Sequence, residues 1–219
     1  MNKAVVLLSG GLDSTTTLFY ALKKKNKVSC LIFDYGQRHR KEIDRARKIA
    51  KSVGCDYYIV KIPLPWKGSS LLNKNIALPV NRDLNKKEIP STYVPARNII
   101  FLSFAVSFAE TIGAQKVFIG ANAIDYSGYP DCRPEFYAAF HKVFKTGLKS
   151  GVEGRSIKIE TPLIRKTKSQ IIELGLKLNV PYHLTWSCYS GGKKPCGSCD
   201  SCVLRQKGFH EIGEKDPLL

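Results

Sequence analysis

The sequence predicts an α/β fold: a doubly wound, mostly parallel five-stranded sheet with helices on both faces and a small four-cysteine segment at the C-terminus. Three observations predict it. Short aliphatic runs alternate with helix-length segments along residues 4–178. A Ser-Gly-Gly turn joins the first such run to the first helix. After Pro181 the composition shifts to Cys, Gly and Lys, so the expected organisation is a main unit over residues 1–181 and an appendage over 182–219.

Residues 4–8, 28–33, 57–62, 117–119 and 157–159 are aliphatic or β-branched runs of strand length, apolar on both faces as buried parallel strands require. Between them, 15–24 follows a Ser/Asp cap signal, 42–53 ends at Gly54 and 99–112 ends at Gly113, which is the start and stop chemistry of helices. Segments 135–149 and 168–178 complete the helical set. Two stretches break this rhythm. Residues 63–97 hold five of the 11 prolines and no sustained period, and a connection that long inside a compact domain is usually a functional loop or lid. Residues 120–134 are similar but shorter. Both leave the carboxyl end of a strand, where open parallel sheets bind their ligands.

With 219 residues, 43% of them hydrophobic, the chain can bury a core of its own, and general disorder is excluded. Thirty-five basic against 18 acidic residues give a net charge of +17, enough to attract phosphates, nucleic acids or acidic membranes over long range. The lysine runs at 23–25, 86–87 and 193–194 are scattered, however, which fits a solvated surface better than one binding patch. The apolar run at 4–8 is too short for a secretory signal, and the longest, 99–109, carries Ser103 and Ser107 and falls short of the ~20 residues that span a bilayer. A cytoplasmic protein with no membrane partner is expected. Seven cysteines in a reducing compartment argue against disulfides, and the bunching of four from Cys188 onward points to metal.

Ser9-Gly10-Gly11-Leu12-Asp13-Ser14 links the first strand to the first helix. Its glycines let backbone N–H groups converge where the helix dipole also favours an anion, so a phosphate fits there. Asp13 either caps the helix or holds magnesium. No G-x-x-x-x-G-K-[ST] or G-x-G-x-x-G string is present, which removes support for P-loop γ-phosphate transfer and dinucleotide redox chemistry. Lys166 and Lys168 stand at the start of the last predicted helix, where the dipole disfavours a cation unless an anion lies nearby.

Cys188, Cys196, Cys199 and Cys202 are spaced C-x7-C-x2-C-x2-C, with Gly191, Gly192 and Gly197 to let the chain wrap one ion. Four thiolates suit tetrahedral zinc in a closed, structural site; an iron–sulfur cluster is the competing occupant. Cys30 and Cys55 read as small apolar fillers, and Cys132 stays ambiguous in a polar loop.

The Ser9–Ser14 string resembles the SGGxDS pyrophosphate loop of the adenylating N-type ATP pyrophosphatases. That resemblance implies cleavage of ATP between its α and β phosphates. It further implies ATP contacts through Leu8, Ser9, Gly10, Gly11, Leu12, Asp13, Ser14, Thr15, Thr16, Thr17 and Leu18, with magnesium accompanying the nucleotide. Lys168 matches a lysine of the same family. Asp34-Tyr35-Gly36-Gln37-Arg38-His39, the Ser91-to-Asn98 segment, Gly120-Ala121-Asn122, the Tyr129-to-Phe136 segment and the four cysteines are together similar to the 7-cyano-7-deazaguanine synthase family, over nearly the whole chain. The resemblance implies conversion of 7-carboxy-7-deazaguanine, ammonia and ATP to the nitrile in queuosine precursor biosynthesis. It also implies one structural Zn²⁺ per chain and a homodimer, with no nucleic-acid partner.

Within that resemblance Arg97 is a candidate to hold the substrate carboxylate or a phosphate; the alternative is that it pairs with a structural carboxylate. Asp131, Arg133 and Glu135 are candidates for the purine-like ring edge, although Glu135 also suits a helix start. Tyr35 and Tyr93 either stack on flat rings or fill the core. The chain leaves no room for a glutaminase unit, so free ammonia, or ammonia from a separate partner, is expected. Two rival readings remain: a tRNA thiolase on the same loop, for which only Cys132 offers sulfur chemistry, and a basic zinc-ribbon module that grips nucleic acid.

Overall fold

The structure, a computed structural model, describes residues 2–84, 88–124 and 129–219. The Lys86-Lys87 run and residues 125–128 of the 120–134 stretch lie outside the described residues. Five strands, β1 (Lys3–Leu7), β2 (Lys27–Asp34), β3 (Asp56–Lys61), β4 (Lys116–Phe118) and β5 (Lys158–Glu160), form one sheet in the order β3-β2-β1-β4-β5. Every pairing between them is parallel, with Leu7 opposite Leu31 and Val6 opposite Phe118. The order reverses direction between β1 and β4, which opens a crevice at their carboxyl ends.

Alternation along the central strands decides which helix covers which face. Val5, Leu7, Leu31, Phe33 and Val117 pack under α3 (Arg97–Ile112) and α4 (Pro134–Gly147). Ala4, Val6, Cys30, Ile32 and Phe118 pack under α1 (Leu12–Lys23) and α2 (Lys41–Ser52). The sheet is therefore doubly wound, and both faces of β1 and β2 are apolar as expected. Edge strand β3 is not: Tyr58 and Ile59 are exposed. An edge strand has a partner on one side only, so its faces are covered less completely.

Three expectations need correction. Helix α1 begins at Leu12 rather than at residue 15, and its N-cap is Gly11 with no side-chain cap, so Asp13 sits inside the first turn instead of capping it. The predicted 135–149 helix divides into α4 and a short α5 (Lys149–Val152), because Leu148 is extended between them. The chain then folds back so tightly that a Cβ on Gly151 would lie 2.4 Å from the Phe144 carbonyl oxygen. Third, the C-terminal segment carries an unpredicted helix, α7 (Asp200–Glu211). It packs on α6 (Lys168–Lys177), where Phe209 joins Ile171, Ile172 and Tyr182. Thr167 and Gln170 close a capping box at the start of α6, which fixes its first turn.

The 63–97 connection is a bound strap. Arg38 donates to the Lys74 carbonyl at 2.9 Å, and the Ser70 N–H donates to the Ser91 carbonyl at 2.8 Å. At its middle Val80 bridges Cys199, the Asn81 N–H donates to the Ser198 carbonyl at 2.9 Å, and Arg82 pairs with buried Asp200 at 3.0 Å. The strap thus connects the sheet's carboxyl end to the cysteine segment. Among the described residues no helix is long and apolar enough to cross a membrane.

Candidate active site

A cavity of about 250 Å³ opens at the carboxyl ends of the central strands. One wall is the β1–α1 turn: Leu8, Ser9, Gly11, Leu12, Asp13 and Ser14 all face it. Gly10 has φ +79° and sits against α2 so closely that a Cβ would meet the Glu42 carbonyl oxygen at 2.5 Å and the Ala46 nitrogen at 2.6 Å. The turn can approach α2 only because this residue has no side chain. The Ser9 and Ser14 hydroxyls bond each other at 2.9 Å across the bend. The first N–H groups of α1 have no acceptor within the helix, and they point their partial positive charge at the cavity mouth. Such an arrangement binds anions, and phosphate in particular.

Thr15, Thr16, Thr17 and Leu18 are fully buried behind this wall. Each threonine hydroxyl donates to the carbonyl four residues back, Thr15 to Gly11 at 2.7 Å and Thr17 to Asp13 at 3.0 Å among them. They set the helix start, and the structure does not bring them to the cavity surface. Lys168, the first residue of α6, is buried and donates to both Asp13 carboxylate oxygens at 2.8 Å. Burial in the α6–α7 seam is what guides it there: a Cβ on Gly208 would lie 2.6 Å from the Lys168 Cγ. The cation expected near an anion therefore reaches the phosphate turn through Asp13.

Arg97, at the first position of α3, lines the opposite wall. Its approach is set by Ala96, which holds a left-handed conformation with φ +56°. Burial by itself lowers the proton affinity of this guanidinium, but Tyr35, Tyr129 and Asp131 around it outweigh that and raise it, so its charge is secure. Tyr35 lines the cavity and packs edge-on against Phe101 at 5.3 Å, whereas Tyr93 stacks on Tyr129 at 5.9 Å and stays outside the lining. Cys132 also faces the cavity; burial pushes its thiol up to about 12, with Asp131 adding to the shift, so it is no thiolate at neutral pH. Asp131 itself is buried one layer back, accepting from the Asn98 N–H at 3.2 Å. Arg133 and Glu135 are exposed at the start of α4, and the structure does not bring them into the lining.

Two groups of lining residues were not anticipated. Glu42, in the first turn of α2, faces the cavity; burial pushes its carboxyl up to about 7, partly countered by Arg97. Its spacing, four residues before buried Ala46, places it on the edge of the α2 core face, a signal obscured by the habit of acidic residues to occupy helix starts on the surface. The second group is Trp186, Ser187 and Tyr189, on either side of Cys188. The Trp186 N–H donates to the Gly10 carbonyl at 2.8 Å, the Trp186 ring N–H to the Cys188 carbonyl at 2.9 Å, and Lys41 lies 4.1 Å over the Trp186 ring.

Cys188, Cys196, Cys199 and Cys202 converge, their sulfurs within 4.8 Å of one another, and this cluster could hold a metal ion. The Cys196 N–H donates to the Cys188 sulfur at 3.3 Å and the Cys199 N–H to the Cys196 sulfur at 3.4 Å, an environment that favours thiolate. Hydrogen bonds from Cys199 and Cys202 hold the Cys188 thiol well below its usual range, and the same bonds push the Cys199 and Cys202 thiols up, so Cys188 is the acceptor of the set. None of the four cysteines lines the cavity, but Ser187 and Tyr189 on either side of Cys188 and Ser201 beside Cys202 do, so the cluster lies directly behind that wall.

Fold and site together define an α/β protein with an anion-binding β1–α1 turn at a topological switch point and a metal-competent cluster beside it. At 15% identity and a TM-score of 0.52, the fold is similar to NMN synthetase from Francisella tularensis, covering 98% of this chain and 78% of that one. It is equally similar, again at 15% identity and a TM-score of 0.52, to a predicted subunit of tRNA methyltransferase from Methanocaldococcus jannaschii, of which it covers 90%. In sequence, residues 3–213 match the family described as queuosine biosynthesis protein QueC. The chain is 53% identical to a 7-cyano-7-deazaguanine synthase from Trichodesmium erythraeum over 99% of its own length and 100% of that protein's. It is 55% identical to the enzymes of that name from Thermoplasma acidophilum, covering 91% of that protein, and Acetivibrio thermocellus, covering 97%. The chain belongs to the QueC family of queuosine biosynthesis proteins.

Proposed function

We propose that the protein converts 7-carboxy-7-deazaguanine and ammonia to 7-cyano-7-deazaguanine at the expense of ATP. The observation that carries this reading is the 53–55% identity to proteins named for that activity, extending over nearly the whole chain. Chemically, a carboxylate oxygen is a poor leaving group. Attack of that oxygen on the ATP α-phosphate releases pyrophosphate and forms an acyl adenylate, from which ammonia displaces AMP to give the amide. A second ATP adenylates the amide oxygen, and loss of AMP and a proton leaves the nitrile. The protein's own contribution is placement and charge stabilisation.

In this reading the cavity-facing residues of the 8–14 turn hold the pyrophosphate of ATP, Thr15 to Leu18 fix the helix start behind them, and Lys168 acts through Asp13. Asp13 is also the carboxylate placed to meet a nucleotide-bound Mg²⁺. Arg97 takes the substrate carboxylate. Asp131 supports Arg97 from behind, while Arg133 and Glu135, exposed outside the lining, are given no contact with the ring. The metal is zinc: sulfurs of a tetrahedral ion bound at about 2.3 Å lie about 3.8 Å apart, and the Cys196 and Cys202 sulfurs are 4.0 Å apart. A multi-iron cluster would spread them farther. Residues 1–181 form the ATP-binding unit and 182–219 the metal-binding appendage. The protein works in the cytoplasm as a homodimer, for which Ile99 and Phe104 on the outer side of α3 offer an apolar face.

The test is an incubation of purified protein with 7-carboxy-7-deazaguanine, ammonium, ATP and magnesium, followed by mass spectrometry. Two AMP per nitrile, with the amide as intermediate, is the expected result, and glutamine should not replace ammonium. ADP in place of AMP would contradict the bond cleavage, and absence of any deazapurine product would remove the substrate assignment.

A further inference from the structure

The phosphate turn and Arg97 account for the anionic parts of the reactants, and Glu42 is left over. Its carboxylate faces the cavity from the first turn of α2, and no hydrogen bond or ion pair reaches it from a described residue. Arg97 acts on it through space, with no ion pair between the two among the described residues. A half-buried, unpaired carboxylate facing a ligand cavity loses part of its hydration, and a ligand that supplies donors restores it. The phosphate turn already has a carboxylate of its own in Asp13, so Glu42 is left for the part of a reactant that carries donors.

Chemistry separates the candidates. Adenine shows a carboxylate one amino group flanked by ring acceptors, so only one of the two oxygens finds a donor and the other meets a lone pair. A 2-amino-4-oxo ring of the guanine type shows two parallel donors, the ring N–H and the exocyclic amino group, spaced for both carboxylate oxygens. The remaining edge of such a ring carries acceptors, the oxo group and the 7-carboxylate, which suit a guanidinium. The structure provides these two complements, Glu42 and Arg97, on walls of one cavity that also contains the Tyr35 ring.

Resting on the substrate reading above, we propose that Glu42 is a specificity residue that accepts the ring N–H and 2-amino group of the deazaguanine, with Arg97 on the oxo and carboxylate side. The ring then bridges two charges that the free protein holds apart. A 2-desamino substrate leaves one Glu42 oxygen without a donor and is rejected for that reason.

The experiment compares 7-carboxy-7-deazaguanine with its 2-desamino analogue in the wild type and in Glu42→Gln, with KM for ATP and for ammonium measured alongside. The wild type is expected to prefer the 2-amino substrate by roughly 10–100-fold in kcat/KM, the range of one bidentate pair. In Glu42→Gln, where a donor replaces one acceptor oxygen, that preference should fall to within about 3-fold and KM for the deazaguanine should rise at least about 10-fold. KM for ATP and ammonium should stay put. Inhibition of the wild type by 7-deazaguanine against 7-deazahypoxanthine needs no variant, and the former should bind at least about 10-fold better. A variant that keeps the wild-type preference, or that loses ATP or ammonium affinity instead, overturns the assignment of Glu42 while leaving the reaction intact. A wild type that turns over neither ring removes the substrate assignment itself, and this inference with it.

Discussion

Glu42 carries its negative charge at a cost that the free protein offsets only in part, through Arg97, whereas Asp13, in the same cavity, has Lys168 against both oxygens. Burial raises Glu42 from 4.5 to about 7. A group whose folded value is raised contributes stability below its unfolded value and loses it as pH climbs through the folded one. The ligand-free protein should therefore lose stability between about pH 4.5 and 7 on account of this residue. At about 1.4 kcal/mol per pH unit the loss is at most ~3.5 kcal/mol, and water entering the open cavity reduces it. Glu42→Gln should accordingly melt several degrees higher than the wild type at pH 8, with the gap closing near pH 5. Thermal melts across that range decide it: a gap independent of pH would show that Glu42 is not strained by burial. Other residues differ in how far the sequence exposed them. The cavity-facing turn from Leu8 to Ser14 was legible because glycines and hydroxyls at a strand–helix junction have one obvious use. Asp131 and Glu42 were harder to place, since a carboxylate near a helix start looks alike whether it faces water or a cavity, and only the tertiary packing of α2 and α3 distinguishes the two.

At the scale of elements, β4 and α1 meet at Gly120. A Cβ there would lie 2.9 Å from the Asp13 carbonyl carbon and from the Ser14 nitrogen, both backbone atoms that cannot swing aside. Gly120→Ala should push the first turn of α1 away from the end of β4 and disorganise the N–H groups aimed at phosphate. An overpacked contact of this kind costs about 1–3 kcal/mol in stability. The larger effect should fall on ATP, with kcat/KM for the nucleotide down by roughly 10-fold or more, as a small misplacement of binding groups commonly produces. Pyrophosphate release at varied ATP reads it directly, and an unchanged KM for ATP would mean the turn is not the nucleotide site. The five strands and most helices were readable because their apolar residues repeat at strand or helix period. Helix α7 was not. Its buried face is made of Cys202, Leu204, Arg205, Gly208 and Phe209, in which a metal ligand, a guanidinium and a glycine take places usually held by aliphatics. Arg205 is buried there because Asp216 meets it at 2.7 Å and the Thr185 hydroxyl accepts from it at 2.7 Å, partners that no periodic pattern reveals.

Across the whole molecule, the cysteine cluster ties together parts far apart in sequence. Trp186 reaches Gly10 of the β1–α1 turn, His39 meets the Cys188 carbonyl at 3.0 Å, and the middle of the 63–97 strap is fastened to Cys199 and Asp200. If a bound ion holds the four sulfurs together, it holds a cavity wall and the strap in place as well. Removing it should then act on ligand binding and on stability at once, which a remote structural clamp would not do. Tryptophan emission offers a local report, because Trp186 is 2% exposed and Trp66 is 48% exposed. In a Trp66→Phe background, chelation should shift Trp186 emission to the red as its cover opens. The same treatment should weaken binding of nucleotide and deazapurine together. A clamp worth even about 3 kcal/mol would lower Tm by roughly 6–12 °C in a chain of this size. Added zinc should reverse all three changes. Chelation that lowers Tm but leaves Trp186 emission and both affinities unchanged would show that the cluster stabilises the C-terminal segment alone, and that the cavity wall holds its shape without it.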